Sequence, residues 1–194
     1  MKKLGVFATS ALASAVLCWS TANASINLVV NGSFETGNFT GWTADANSFP
    51  MYIVTNPVED GIYAAQIAGY DFNPDTLSQT VADTAGQSYL LSFWRYQADG
   101  APPIGLTVTW DGVTVFSEVN PGFQPYQNFN ALVTGAGSDS LVFTSYNNPA
   151  YTYLDNVSLT AVPEPAAWIM MLVGFGGLGL AAFRGARKAS VSIA

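Results

Sequence analysis

The strongest constraint on this chain is a rhythm that never becomes helical. Between Ser25 and Val162 apolar and polar residues alternate in short runs broken by Gly, Pro, Asn or Asp. No apolar stripe with the helical period of about 3.6 residues occurs before Pro165. The runs are Ile26–Val30, Tyr52–Thr55, Tyr63–Ala68, Thr76–Val81, Tyr89–Tyr96, Gly105–Trp110, Val113–Val119, Gln127–Thr134, Leu141–Tyr146 and Tyr153–Thr160. The clearest is TVTWDGVTVF, where Leu106, Val108 and Trp110 alternate with Thr107 and Thr109 before Asp111-Gly112. Asp-Gly accepts the positive φ angles of a two-residue turn, so a tight antiparallel hairpin is expected. Strands this short and numerous bury their apolar faces most simply in two packed layers, which predicts an all-β sandwich over residues 25–161.

Neither end of the chain belongs to that sandwich. Met1-Lys2-Lys3, the apolar run Leu4–Trp19 and Ala22-Asn23-Ala24 form the charged, hydrophobic and cleavage regions of a secretory signal. Residues 1–24 are therefore expected to be removed between Ala24 and Ser25. The single cysteine, Cys18, would leave with them, and there is no histidine. Disulfides, cysteine or histidine zinc sites and the Ser-His-Asp and Cys-His arrangements are excluded from such a mature chain.

The charge is equally one-sided. Between Ser25 and Phe183 the only basic residue is Arg95, against all 13 acidic residues. Such a surface repels phosphate backbones and excludes nucleic acid as a partner, while divalent cations and neutral glycans remain compatible with it. A lone cation among carboxylates is expected to form a structural ion pair.

At the C-terminus, VPEPAAWIMM leads into the uncharged run Ala166–Phe183. As a helix, 18 residues reach roughly 27 Å, about the thickness of a bilayer core. Trp168 stands near one end, and Arg184, Arg187 and Lys188 stand at the other. That predicts a transmembrane helix over 166–183, a cytoplasmic basic tail over 184–194 and the β-domain outside. Pro163 and Pro165 hold Glu164 in an extended, accessible segment. The stretch Pro163-Glu164-Pro165, Trp168 and the apolar run to Arg184 resembles the PEP-CTERM sorting signal, in its PEP-x-x-W form. The resemblance implies a residue 162–194 sorting unit read by an exosortase-type membrane peptidase. It also implies a transient inner-membrane anchor and a final place at the cell surface or outside the cell. Such tails follow very diverse domains, so they define a route and leave the activity open. An ordinary C-terminal anchor is the alternative.

Two further stretches, NLVVNGSFETGNFTGW (Asn27–Trp42) and YLDNVSLT (Tyr153–Thr160), resemble the first and last strands of galactose-binding-like jelly rolls. TLSQTVADTAGQSYLLSFWRY fits between them. The resemblance implies a jelly-roll β-sandwich of the carbohydrate-binding-module kind. It also implies a structural calcium joining the two ends of the domain through Glu35 and Asp155, helped by nearby backbone carbonyls. Calcium takes six to eight hard oxygens, which suits two carboxylates and loop carbonyls. The bland alternative makes Glu35 a solvated turn residue and Asp155 a local turn former.

Candidate ligand-stacking aromatics are Trp94, Tyr96, Tyr126, Tyr146 and Tyr151. No catalytic constellation stands out, since the adjacent acids Glu59-Asp60 would point opposite ways on a strand. The expected function is a non-enzymatic exported surface or matrix protein that binds glycan, the cell's own exopolysaccharide included, or serves structurally. The rivals are a carboxylate-based glycan-active enzyme and an adhesin or ice-surface binder. The last would need a flat, regular threonine face, and the threonines are scattered along the sequence.

Overall fold

The computed structural model describes residues 26–147 and 149–163, with positions 172 and 174–176 beyond them. The chain forms eleven strands: β1 (Thr43–Asp45), β2 (Tyr52–Val54), β3 (Ala64–Ile67), β4 (Gly69–Tyr70), β5 (Asn73–Ala82), β6 (Ser88–Gln97), β7 (Gly105–Trp110), β8 (Val113–Val119), β9 (Gln124–Thr134), β10 (Ser138–Tyr146) and β11 (Thr152–Ala161). One sheet has the order β1-β5-β10-β7-β8, with β4 also on β5, and the other the order β2-β3-β11-β6-β9. Every neighbouring pair is antiparallel. The two sheets stack as a jelly-roll sandwich.

Period-2 alternation explains what each strand buries. On β6, Tyr89, Leu91 and Phe93 are buried, and Leu90, Ser92, Trp94 and Tyr96 lie on the opposite pleat. Across the sandwich Leu77, Val108, Leu141 and Phe143 fill the other half of the core. Phe93 of one sheet meets Phe143 of the other edge-to-face, with centroids 5.3 Å apart. Trp110 sends its indole N–H across to the Thr134 carbonyl at 3.0 Å, joining β7 to β9. The Asp111-Gly112 turn has φ of 48° and 75°, the two positive angles its sequence signalled.

The opening stretch Ile26–Val30 departs from expectation. It runs beside β11, with the Leu28 N–H on the Leu159 carbonyl, but forms no ladder strand. The Asn27 side chain takes over that role: it donates to the Val157 carbonyl and accepts from the Val29 and Leu159 N–H groups. An amide that bonds the backbone replaces ladder bonds. The short strands β1 and β4, both on β5, carry too few residues for alternation to show.

Ala24 and Ser25 lie outside the described residues, as do Glu164, Pro165 and Trp168 of the sorting motif and the basic tail. Pro163 closes the described domain and is exposed. Among the described residues no helix is long and apolar enough to cross a membrane.

Candidate functional site

Because β6, β9 and β11 are neighbours, their outward residues form one continuous surface. In register, Tyr153 of β11 sits beside Tyr96 of β6, and Asn128 of β9 beside Trp94. Tyr96 is the hub of an aromatic cluster: Tyr126, Tyr153 and Phe123 all lie 5.5 to 5.6 Å away by centroid. Tyr151 joins through Tyr153 at 6.4 Å. The Tyr126 hydroxyl donates to the Pro57 carbonyl at 3.1 Å. Burial, with the carboxylates of Asp155 and Glu59 nearby, pushes that phenol far above its usual range, and burial also raises Tyr153. Both therefore remain neutral donors at ordinary pH.

Next to the tyrosines lies a recess of about 540 Å³ lined by Trp94, Ser92, Asn27, Asn31, Ser33, Asn156 and Ser158, with Val29, Gly32 and Val157. It is built on an irregularity. The register between β11 and β6 shifts between Asp155 and Ser158, and Asn156 adopts φ of 46° within that bulge. A bulge re-aims side chains that a regular strand would send to alternate faces, so Asn156, Val157 and Ser158 all border the recess. The opposite wall is the Asn31-Gly32 turn. A Cβ on Gly32 would stand 1.9 Å from the Val157 carbonyl oxygen, which makes glycine obligatory there. The Asn31 amide holds the carbonyls of Asn38 and Thr40. An indole among amides and hydroxyls, with no charged side chain in the lining, is a surface on which a sugar ring can stack and hydrogen-bond.

Of the candidate aromatics, the structure thus brings Trp94, Tyr96, Tyr126 and Tyr151 to one region. Tyr146 does not belong there. It lies on β10 in the other sheet, paired with Gly105, and its phenol covers the spot where a Gly105 side chain would stand. Tyr153 and Phe123 complete the cluster and escaped the sequence reading. Tyr153 could have been found from register, as it directly faces Tyr96.

Glu35 and Asp155 both close on the loop between β2 and β3. The Ile62 and Tyr63 N–H groups donate to Glu35 Oε1, each at 2.9 Å. The Glu59 and Asp60 N–H groups donate to Asp155 Oδ2 at 2.9 and 3.4 Å, and Asn156 N–H donates to Oδ1 at 2.7 Å. The Glu59 carboxylate in turn accepts from the Asn156 amide at 2.6 Å. Asp155 is fully buried, and desolvation raises its pKa to about 6 despite these donors, with the Glu59 charge adding to the rise. Among the described residues no three His, Cys, Asp or Glu side chains gather closely enough to hold a metal by themselves. A calcium ion here would need carbonyl oxygens as well, and a buried carboxylate in so unfavourable a field is one that a cation would relieve.

Arg95 is the buried counterpart of this acidic surface. It projects to the inner face, fully buried, with Nη2 bonded to Glu118 and, at 2.8 Å, to Gln124 Oε1. Its guanidinium lies 5.2 Å from the centroid of the Phe129 ring. The expected ion pair is present, and no cation reaches the aromatic face from it.

The sandwich has the architecture of carbohydrate-binding modules. Its structural relatives include TmCBM61, solved in complex with β-1,4-galactotriose (TM-score 0.57, 21% identity, 71% of this chain and 100% of that chain). Another is the CBM22-1 xylan-binding domain from Paenibacillus barcinonensis Xyn10C (TM-score 0.53, 20% identity, 74% and 99%). The enzymatically active domain of bacteriophage CBA120 tailspike protein 4 is also similar (TM-score 0.54, 17% identity), and there this chain matches only 22% of that chain. Residues 161–188 match the PEP-CTERM protein-sorting motif, which marks an exported protein sorted by the exosortase route. A comparison with curated proteins returns no match.

Proposed function

We propose that the protein is a non-catalytic glycan-binding module displayed at the cell surface or in the extracellular matrix through its sorting tail. The observation that carries this reading is the juxtaposition of the Trp94 recess with the Tyr96–Tyr126–Tyr153 cluster on one sheet face. Sugars present flat apolar C–H faces and hydroxyl rims, which match half-buried rings flanked by amides and hydroxyls. The similar modules solved with galactotriose or described as xylan-binding support the same reading.

The carboxylate-enzyme reading finds less support. Asp155 is buried and committed to backbone donors, and Glu59 is tied to Asn156, so neither is presented to a substrate. The threonine-face reading gains one feature: register aligns Thr76, Thr144, Thr107 and Ser117 across β5, β10, β7 and β8. Sheets twist by roughly 20–25° per strand, however, which spoils any match to a flat lattice.

The test is a glycan array followed by titration calorimetry on the purified protein, with and without calcium. Trp94→Ala should weaken binding at least about tenfold, the loss of one stacked ring. Tyr146→Ala, on the other sheet, should leave affinity unchanged. An array without signal, or a Trp94 variant that binds as before, would remove the proposal.

A further inference from the structure

We propose that Gln87 clamps the chain at Val162 and so fixes how close to the folded domain the sorting peptidase can take hold. This role rests on the sorting-tail reading and is independent of glycan binding. The matched motif starts at Ala161, which is also the last residue of β11. Fold and signal therefore share a residue, and no spacer lies between them.

Beyond the last ladder pair, Ala161 with Tyr89, the chain is held once more. The Val162 N–H donates to the Ser88 carbonyl at 2.9 Å, and the Val162 carbonyl accepts from Gln87 Nε2 at 2.9 Å. The same Nε2 also donates to the Ser88 carbonyl at 2.9 Å. Gln87 is itself fixed: its N–H donates to the Thr84 carbonyl at 3.1 Å, and its carbonyl accepts from the Gly135 N–H at 2.9 Å. The turn before β6 is thereby tied to the turn between β9 and β10, and the clamp stands on that base.

A peptidase takes its substrate as an extended strand and bonds its free main-chain groups. At Val162 both groups are already taken. Pro163 is exposed and has no N–H to offer. The first residue such an enzyme can hold is thus the first proline of Pro-Glu-Pro, with none to spare on the domain side. Slack on the other side is small too: four residues lead from Val162 to Ala166, where the uncharged run begins, at most about 14 Å. The cut breaks one peptide C–N bond beyond the clamp; the carbonyl carbon passes to water or an amine acceptor, and the nitrogen leaves protonated on the tail. Gln87, 75 residues before Val162, is in this way a substrate-side positioning residue for the sorting step.

Deleting Val162 from the full chain in its host tests this. The deletion draws the first proline into the clamp while Pro-Glu-Pro keeps its spacing to Trp168. Proline cannot donate to Ser88, so Gln87 alone holds it. Full-length chain in the inner membrane should rise roughly fivefold, the factor that one net hydrogen bond supplies. Adding Gln87→Ala, or Gln87→Glu with its non-donating carboxylate, should return it to the parent level. Either Gln87 substitution by itself should leave export and processing unchanged. Should the deletion chain not be exported, amide exchange is read instead: Gln87→Ala should speed exchange at Val162 about fivefold over the parent. A deletion chain processed like the parent, a stall that neither Gln87 substitution relieves, or exchange unchanged by Gln87→Ala would overturn the proposal. A parent surface protein with residues 166–183 attached would remove the sorting reading and the clamp's role with it.

Discussion

At the residue scale the most consequential choice is the placement of one arginine. Arg95 alternates to the inner face with Tyr89, Leu91 and Phe93, so the domain's single cation is desolvated and its pKa is lowered from the ordinary arginine value. Glu118 opposes that shift by charge and by hydrogen bonding. The guanidinium Nε and Nη1 find no partner among the described residues, so the Glu118 contact is the main compensation for a buried charge. Removing one partner of a buried pair costs more than removing both. Glu118→Ala should therefore destabilise by roughly 3 kcal/mol, whereas Arg95→Met with Glu118→Gln should cost about 1 kcal/mol or less. Denaturant melts of the three proteins check this, and equal losses in both variants would show that the pair is not coupled.

At the scale of elements, the loop between β2 and β3 is held by Glu35 from one side and Asp155 from the other. The Asp155 carboxyl, raised to about 6 from an ordinary 3.8, binds its proton more tightly folded than unfolded. Its contribution to stability is complete below about pH 4 and fades as pH rises through about 6, at most on the order of 3 kcal/mol. In EDTA the melting temperature relative to Asp155→Asn should thus fall between pH 4 and pH 7. We propose that a structural calcium, held by Glu35, Asp155 and loop carbonyls, offsets that loss at neutral pH. Adding calcium at pH 7 should raise the melting temperature of the parent chain and not of Asp155→Asn, since only the native site binds the ion. A melting temperature indifferent to calcium would remove the metal, and a flat pH profile would remove the burial argument.

For the whole molecule, a compact sandwich sits ahead of a sorting motif at residues 161–188. The last strand, β11, is central in its sheet and ends at Ala161, so the motif begins where the fold is complete. Cutting at the Pro-Glu-Pro removes no strand and should leave the domain's stability unchanged. The mature surface protein is expected to start near Ser25 and end near Pro165. Replacing Pro163, Glu164 and Pro165 by alanine should keep export intact while full-length chain accumulates in the inner membrane. Intact mass of the surface fraction decides, and recovery of the native protein with residues 166–183 attached would leave a plain anchor.

How much of this was legible beforehand follows from the range of the forces involved. Alternation is local, so the sequence alone determined an all-β sandwich, its Asp-Gly hairpin and most strand cores, and the tail's motif declared the export route. Composition alone excluded histidine chemistry. Register is not local. Which tyrosine faces which depends on strands up to 57 residues apart, as Tyr96 and Tyr153 are, and one strand change sent Tyr146 to the other sheet. The bulge that borders the Trp94 recess is met by Gly32, distant in sequence, whose carbonyl accepts the Val157 N–H and which leaves no room for a side chain there. Only the packed structure decided these, because a side chain's face follows from its own strand's period, while its neighbours follow from how distant strands bury their apolar sides together.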